Sequence, residues 1–140
     1  MATAVAARLG DAEVAAHQVV FAVWSLLALA LDAVAIAGQA LVRRTLGASE
    51  VAQTRAVTGR MVEWGVALGL GFGAAVLAVH TALPPLSAAD SRVRALIAAA
   101  LVVAAVLQPV AGVVFVLDGV LIGAGDGRYL AAAGLGTLAV

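Results

Sequence analysis

The sequence predicts an all-α integral membrane protein: a polytopic helical bundle with three full transmembrane helices and partial helices at both ends. Hydrophobic residues make up 64% of the 140 positions and charged residues only 11%, and the mean hydropathy is +1.12. An ordinary soluble domain is about half apolar and about a quarter charged, so it could not bury this much apolar surface. The apolar residues also form runs that approach or exceed the ~20 residues needed to cross a bilayer. We therefore treat residues 1–140 as one membrane unit, with spans at about 14–42, 65–83 and 95–124 and a truncated span from 129.

Turn residues and arginines separate and orient these spans. Gly47 is placed to end the first helix and Pro84-Pro85 to end the second, because proline supplies no amide donor. The connector from 43 to 63 holds Arg43, Arg44, Arg55 and Arg60, half of the eight basic residues in the chain. Cytoplasmic loops collect positive charge, so we expect this connector in the cytoplasm and the protein in the cytoplasmic membrane.

The composition also disfavours several functions. The chain has eight basic residues, eight acidic residues and no cysteine. The arginines lie between the apolar runs and form no basic face, which disfavours nucleic-acid binding. Without cysteine there is no disulfide, thiol nucleophile or thiolate metal site. The two histidines, His17 and His80, stand near span ends without other metal-ligand residues, so we expect no metal site and no bound cofactor.

Polar residues recur along the first span with a spacing of seven. Seven residues advance a helix by about two turns, so these side chains form one line along the helix. Lipid cannot solvate them, and the line should face other helices or a water-filled cavity. For the amides and the hydroxyl, hydrogen bonds that fix helix packing are the alternative to lining a cavity. The four residues are Gln18, Ser25, Asp32 and Gln39.

Two acids, Asp32 and Asp118, are the strongest candidates for chemistry. Counting back from Arg43 and Arg128, each lies roughly 15 Å from the cytoplasmic face, so the two should share one depth near the midplane. A carboxylate there is costly enough that a functional role, such as proton exchange during transport, is the default hypothesis. A neutral acid that donates a hydrogen bond to a carbonyl is the alternative.

Two further features concern helix geometry. Pro109 removes one helical hydrogen bond beside Gln108, which predicts a kink in the third span and a candidate cavity-lining amide at Gln108. Passive packing is the alternative for this site. In the second span, Gly65, Gly69 and Gly73 share one helix face, where the backbone of a neighbouring helix can approach closely.

One short motif suggests a different function. Gly123-Ala124-Gly125-Asp126 matches the GxGD pattern of intramembrane aspartyl proteases, whose chemistry needs two carboxylates that share a proton. The match covers only four residues, Asp126 falls at the membrane surface, and no second motif accompanies it. A third possibility is a small standalone membrane protein that oligomerises through the three glycines of the second span.

Taken together, several stretches resemble the multidrug and toxic compound extrusion (MATE) family, and within it the DNA-damage-inducible F (DinF) branch. The resemblance covers nearly the whole chain, and its most specific part is the pair of Leu-Asp-small motifs. The matching stretches are Leu9-Gly10 with Ala15-Ala16-His17-Gln18, Leu31-Asp32-Ala33 with Gly38-Gln39-Ala40-Leu41-Val42, Leu46-Gly47-Ala48, and Gln108-Pro109-Val110 with Leu117-Asp118-Gly119-Val120-Leu121-Ile122-Gly123-Ala124.

The resemblance implies a secondary active transporter and not an enzyme. The family exports organic cations and drug-like molecules in exchange for H⁺ or Na⁺, and the three spans would be helices eight, nine and ten of twelve. Asp118 aligns with a helix-ten acid linked to cation coupling in the related NorM branch, whereas Asp32 matches a family motif without an assigned role. We expect the chain to be a fragment of the C-terminal half, inactive alone, with the lipid bilayer and the missing N-terminal lobe as partners.

Overall fold

The computed structural model describes residues 10–126, and these residues form four α-helices. They are α1 (Asp11–Gly47), α2 (Val51–Val79), α3 (Leu83–Ser87) and α4 (Ser91–Ala124). The three long helices have the length and hydropathy needed to cross a membrane. The all-α membrane fold class is therefore confirmed. The truncated span expected from residue 129 lies outside the described residues.

The helices are longer than the apolar runs from which they were predicted. α1 has 37 residues, which corresponds to about 55 Å of helix against a hydrocarbon core of about 30 Å. α2 begins at Val51, inside the polar connector, so that connector is mostly helix with a short turn after α1. Polar residues such as Gln and Arg favour helix well, and hydropathy alone therefore marks the membrane segment and not the helix end.

α1 ends at Gly47 as expected, but Gly47 does not adopt the left-handed conformation that commonly follows a helix end. The backbone N–H groups of Ser49 and Glu50 donate to the carbonyls of Leu46 and Thr45 at 2.9 and 3.0 Å. This is the Schellman pattern, in which the residue after the cap adopts the left-handed conformation. Ser49, with φ of 60°, occupies that position. Gly47 therefore lies in the last helical turn, and a serine takes the conformation that usually selects glycine.

The prolines also act differently from the prediction. α2 already ends at Val79, and Pro84-Pro85 lie at the first positions of the short helix α3. A proline there loses nothing, because the first helical N–H groups have no partner within the helix. Pro109 does not end α4, which continues through it to Ala124.

The described chain divides into two compact units. Within the first unit, residues 10–29 and 70–109, the buried core comes from α1, α2 and α4. Asp90 caps α4 by accepting hydrogen bonds from the N–H groups of Arg92 and Val93 at 2.7 and 3.2 Å. Arg92 also donates to Glu13 of α1 at 2.6 Å. The core residues are Ala16, Val76, Val93, Ile97, Leu101 and Ala105.

Within the second unit, residues 30–69 and 110–126, the helices pack through small residues. A Cβ added to Gly65 would lie 2.6 Å from the carbonyl oxygen of Gly112, and one on Gly112 would meet the Gly65 carbonyl in turn. A Cβ on Gly38 would lie 2.6 Å from Cε of Met61. Close backbone approach of this kind is the usual packing device of membrane helices, where neighbouring lipid is as apolar as the side chains.

Candidate functional site

The candidate site lies in the second unit, where α1 and α4 run side by side in the same direction. A Cβ on Gly119 would meet the carbonyl of Ala35, and one on Gly123 would lie 2.8 Å from the carbonyl oxygen of Gln39. Both contacts advance by four residues on each helix, about one turn, so the two helices keep one register over this stretch. The glycines of α4 therefore fix the relative height of the two helices.

This register brings Asp32 and Asp118 to nearly the same level. Asp118 immediately precedes Gly119, so it stands level with the residue before Ala35, which is Val34. Asp32 lies two residues before Val34 on the same helix, an axial offset of about 3 Å. The depth shared by the two acids was expected from their distances to flanking arginines, and the packing contacts give the same relation independently.

Neither carboxyl group has a partner inside the described chain. Asp32 and Asp118 are both exposed. No residue between 10 and 126 forms a hydrogen bond or an ion pair with either side chain. The two acids lie within long apolar helices whose other exposed residues include Ile36 and Val114, 58% and 57% exposed. Each acid thus offers a free carboxyl group that can bind a cation or a proton.

The other predicted polar residues have different surroundings. Gln18 is exposed, and Ser25 and Gln39 are half-buried, so this line is partly open along α1. Gln108 is only 1% exposed, and its Oε1 has no hydrogen-bond partner among the described residues. Leaving a buried acceptor unpaired costs about 1–3 kcal/mol.

Pro109 affects a second oxygen near Gln108, in the first unit, because it removes a helical hydrogen-bond donor. Proline has no N–H, so the carbonyl of Ala105 one turn earlier lacks its helical partner. That carbonyl lies against Gly73, where an added Cβ would be 2.6 Å from the oxygen. An open, largely apolar groove of about 370 Å³ lies beside Gly73, Ala105 and Pro109.

The glycine face predicted on α2 is buried. Gly65, Gly69 and Gly73 are all buried, and Gly65 and Gly73 contact the backbone of α4 in their respective units. The chain's own helix thus occupies this face, and it is not an open surface for a second copy.

The Gly-Ala-Gly-Asp stretch is a helix terminus. Gly125 has φ of 80°, and the N–H groups of Gly125 and Asp126 donate to Ile122 and Leu121 at 3.1 Å each. This is a second Schellman cap, which explains glycine at 125. A structural role therefore accounts for both glycines of the stretch that matched the protease pattern.

Sequence reasoning missed two contacts that shape the second unit. Thr54 donates to the hydroxyl of Thr45 at 2.8 Å, and Thr45 is only 6% exposed. This bond joins the ends of α1 and α2 across the turn. Gly112 was missed as the partner of Gly65. The spacing of Gly112, Gly119 and Gly123 along α4, seven and then four residues, is the same small-residue signal that was recognised on α2.

The fold and the site define a polytopic α-helical membrane protein with ionisable groups inside its spans. The family model MatE matches residues 1–140, and the chain belongs to this family. It is 36% identical over 140 residues to Protein DETOXIFICATION 43 of Arabidopsis thaliana, covering 100% of this chain and 27% of that protein.

A second relative gives a similar picture. Protein DETOXIFICATION 44, chloroplastic, also from Arabidopsis thaliana, is 34% identical over 131 residues, with 94% of this chain and 25% of the relative covered. The chain thus spans about a quarter of the length of the curated relatives it matches. No solved structure matches it.

Proposed function

We propose that this chain forms part of the C-terminal half of an efflux transporter, which exports organic cations or drug-like molecules in exchange for H⁺ or Na⁺. Membership of the MatE family and relatives named for detoxification support an exporter. The motifs around Asp32 and Asp118 support the DinF-type assignment. We place the transporter in the cytoplasmic membrane, with the arginine-rich connector on the inner side.

The observation that carries this proposal is the pair of free carboxyl groups. Asp32 and Asp118 are exposed, lack partners among residues 10–126, and lie about 3 Å apart in height on parallel helices. An ionised carboxyl group in contact with lipid is strongly unfavourable. Both acids therefore need protein or water beside them when the helices are in a membrane.

The length of the relatives indicates which protein segments lie beside the two acids. The chain corresponds to only 25–27% of the two relatives described above. In the proposed transporter, other helices lie against the faces that carry Asp32 and Asp118 and enclose a water-filled cavity between them. Gln39 of α1, in the same unit as the two acids, extends this lining.

The same two carboxyl groups provide a physical basis for exchange. A negative site can reorient through a low-dielectric region at lower cost when a cation neutralises it. A proton, a sodium ion or an organic cation can each do so, and occupation by one weakens the binding of the next. Ion entry then displaces the organic cation on the outer side, which is antiport.

Drug export by cells that express the transporter carrying Asp32→Asn or Asp118→Asn tests this proposal. Asparagine keeps the size and hydrogen-bonding capacity of aspartate and removes its charge and titration. We expect each variant to insert normally and to lose most of its export. Asp126→Asn, outside the apolar span, is the matched control and should export normally. Wild-type export by both span variants would make both acids structural.

Two other functions make different predictions. A small oligomer assembled through Gly65, Gly69 and Gly73 would need these glycines on its surface, yet all three are buried within the chain. A protease using Asp126 would lose membrane-substrate cleavage in Asp126→Asn, whereas the transporter proposal predicts no cleavage by the wild type.

A further inference from the structure

The turn between α1 and α2 carries a concentration of positive charge outside the candidate transport site. We call residues 43–64 the arginine hairpin. It contains Arg43, Arg44, Arg55 and Arg60, and all four side chains are exposed. The hydrogen bond from Thr54 to Thr45 holds its two arms together. The arginines are therefore presented on a folded scaffold at the ends of two membrane helices.

Most of this charge is not neutralised within the chain. Arg60 forms an ion pair with Glu63 at 3.3 Å. Arg43, Arg44 and Arg55 form no ion pair with any residue between 10 and 126. The hairpin contains one further acid, Glu50, so four arginines face two glutamates and the net charge is +2. An anionic partner would complement this surface.

Arg44 also borders a concave site. A pocket of about 440 Å³ lies between the end of α1 and the start of α2, with Leu41 and Val57 as apolar walls. Arg44 and Gln53 contribute hydrogen-bond donors to it, and Glu50 contributes one acid. This combination suits a phosphate group attached to an apolar body, because guanidinium binds phosphate through two parallel hydrogen bonds.

Trp64 indicates the depth of this site in the membrane. Its side chain is 62% exposed, and it directly precedes the apolar part of α2. Tryptophan favours the level of the lipid headgroups, where its ring contacts chains and its N–H meets water. Arg60 and Glu63 border the same surface depression as Trp64. The arginine hairpin therefore begins at headgroup level, where phospholipid phosphates are the most abundant anions.

We propose that the arginine hairpin binds the headgroups of anionic phospholipids, with Arg44 as the principal phosphate contact. Basic residues next to membrane helices are attracted to anionic leaflets, and the pocket beside Arg44 adds apolar walls for the adjoining part of the lipid. The proposal concerns lipid recognition, so it holds or fails independently of the exported substrate and the coupling ion.

Lipid quenching of Trp64 fluorescence tests the proposal. In a Trp24→Phe background Trp64 is the sole tryptophan, since the chain has two. The full chain is reconstituted with phosphatidylcholine, and phosphatidylglycerol or phosphatidylcholine spin-labelled near the headgroup is titrated in. We expect labelled phosphatidylglycerol to quench at lower mole fractions. Arg44→Gln should reduce this preference about fivefold, the factor expected for one basic residue at an anionic surface.

The control removes charge from the same hairpin without changing its net charge. The double variant Arg60→Gln, Glu63→Gln eliminates the neutralised pair and should keep the preference for phosphatidylglycerol. Glycerol phosphate, added at the same ionic strength as a chloride control, should not displace the labelled lipid. Equal quenching by both lipids, an undiminished preference in Arg44→Gln, or displacement by glycerol phosphate would each overturn the proposal.

Discussion

Replacing Gly65 with alanine should destabilise the helix packing of the second unit. The added methyl carbon would lie 2.6 Å from the Gly112 carbonyl oxygen and 2.8 Å from Cγ2 of Val116. The first distance is about 0.7 Å shorter than the closest usual C–H···O contact of about 3.3 Å. Because a backbone atom opposes the methyl group, α2 and α4 must separate. Overpacking of this kind costs about 1–3 kcal/mol, partly offset by the helix propensity of alanine, about 1 kcal/mol.

Gly59→Ala is the matched control for this change. Gly59 lies in the same helix and is exposed, and an added Cβ there has nothing within 4 Å. This variant should be neutral or slightly more stable, because only the propensity term remains. Reversible unfolding in mixed detergent micelles, followed by far-UV circular dichroism, compares the two free energies. If both variants shift the unfolding free energy equally, the close approach of α2 and α4 at Gly65 is wrong.

Three further changes test local features of the fold by the same unfolding measurement. Ser49→Gly should raise the unfolding free energy by about 1 kcal/mol by removing a left-handed serine; a loss of stability would contradict the cap after α1. Asp90→Ala should lower it by about 1 kcal/mol, because α4 loses its side-chain cap; an unchanged value would count against that cap. Gln108→Met should raise it by about 1–3 kcal/mol by removing the unpaired buried oxygen, and a decrease would mean that Gln108 has a partner outside the described residues.

Hydropathy predicted the fold class because it reports directly on the solvent around a helix. Runs such as 95–124 are too long and too apolar for a water-exposed helix. The helix ends were harder to predict, because they depend on backbone hydrogen bonds and not on hydropathy. Gly47 was predicted to end α1 and is its last residue, but the residue in the left-handed conformation is Ser49. Backbone hydrogen bonds from Ser49 and Glu50 to the last carbonyls of α1 determine which residue adopts the left-handed conformation. A single sequence does not show these bonds.

The candidate site was predictable in its residues but not in its contacts. An ionisable side chain within an apolar run is visible in the sequence itself, so Asp32 and Asp118 were found directly. Their lack of partners depends on which helix faces turn toward each other, and backbone contacts at Gly119 and Gly123 determine this. Gln108 illustrates the same limit, because its spacing gives no sign that its side chain is almost completely buried.

Ion-driven transport by purified protein in liposomes tests the central claim most directly. The account predicts that an imposed H⁺ or Na⁺ gradient drives uphill movement of an organic cation by the transporter that carries this chain. The double variant Asp32→Asn, Asp118→Asn should abolish this gradient-driven movement. Its circular dichroism spectrum should still show folded helices. Gradient-driven transport at the wild-type rate in the double variant would contradict the assignment of these two acids to the transport site.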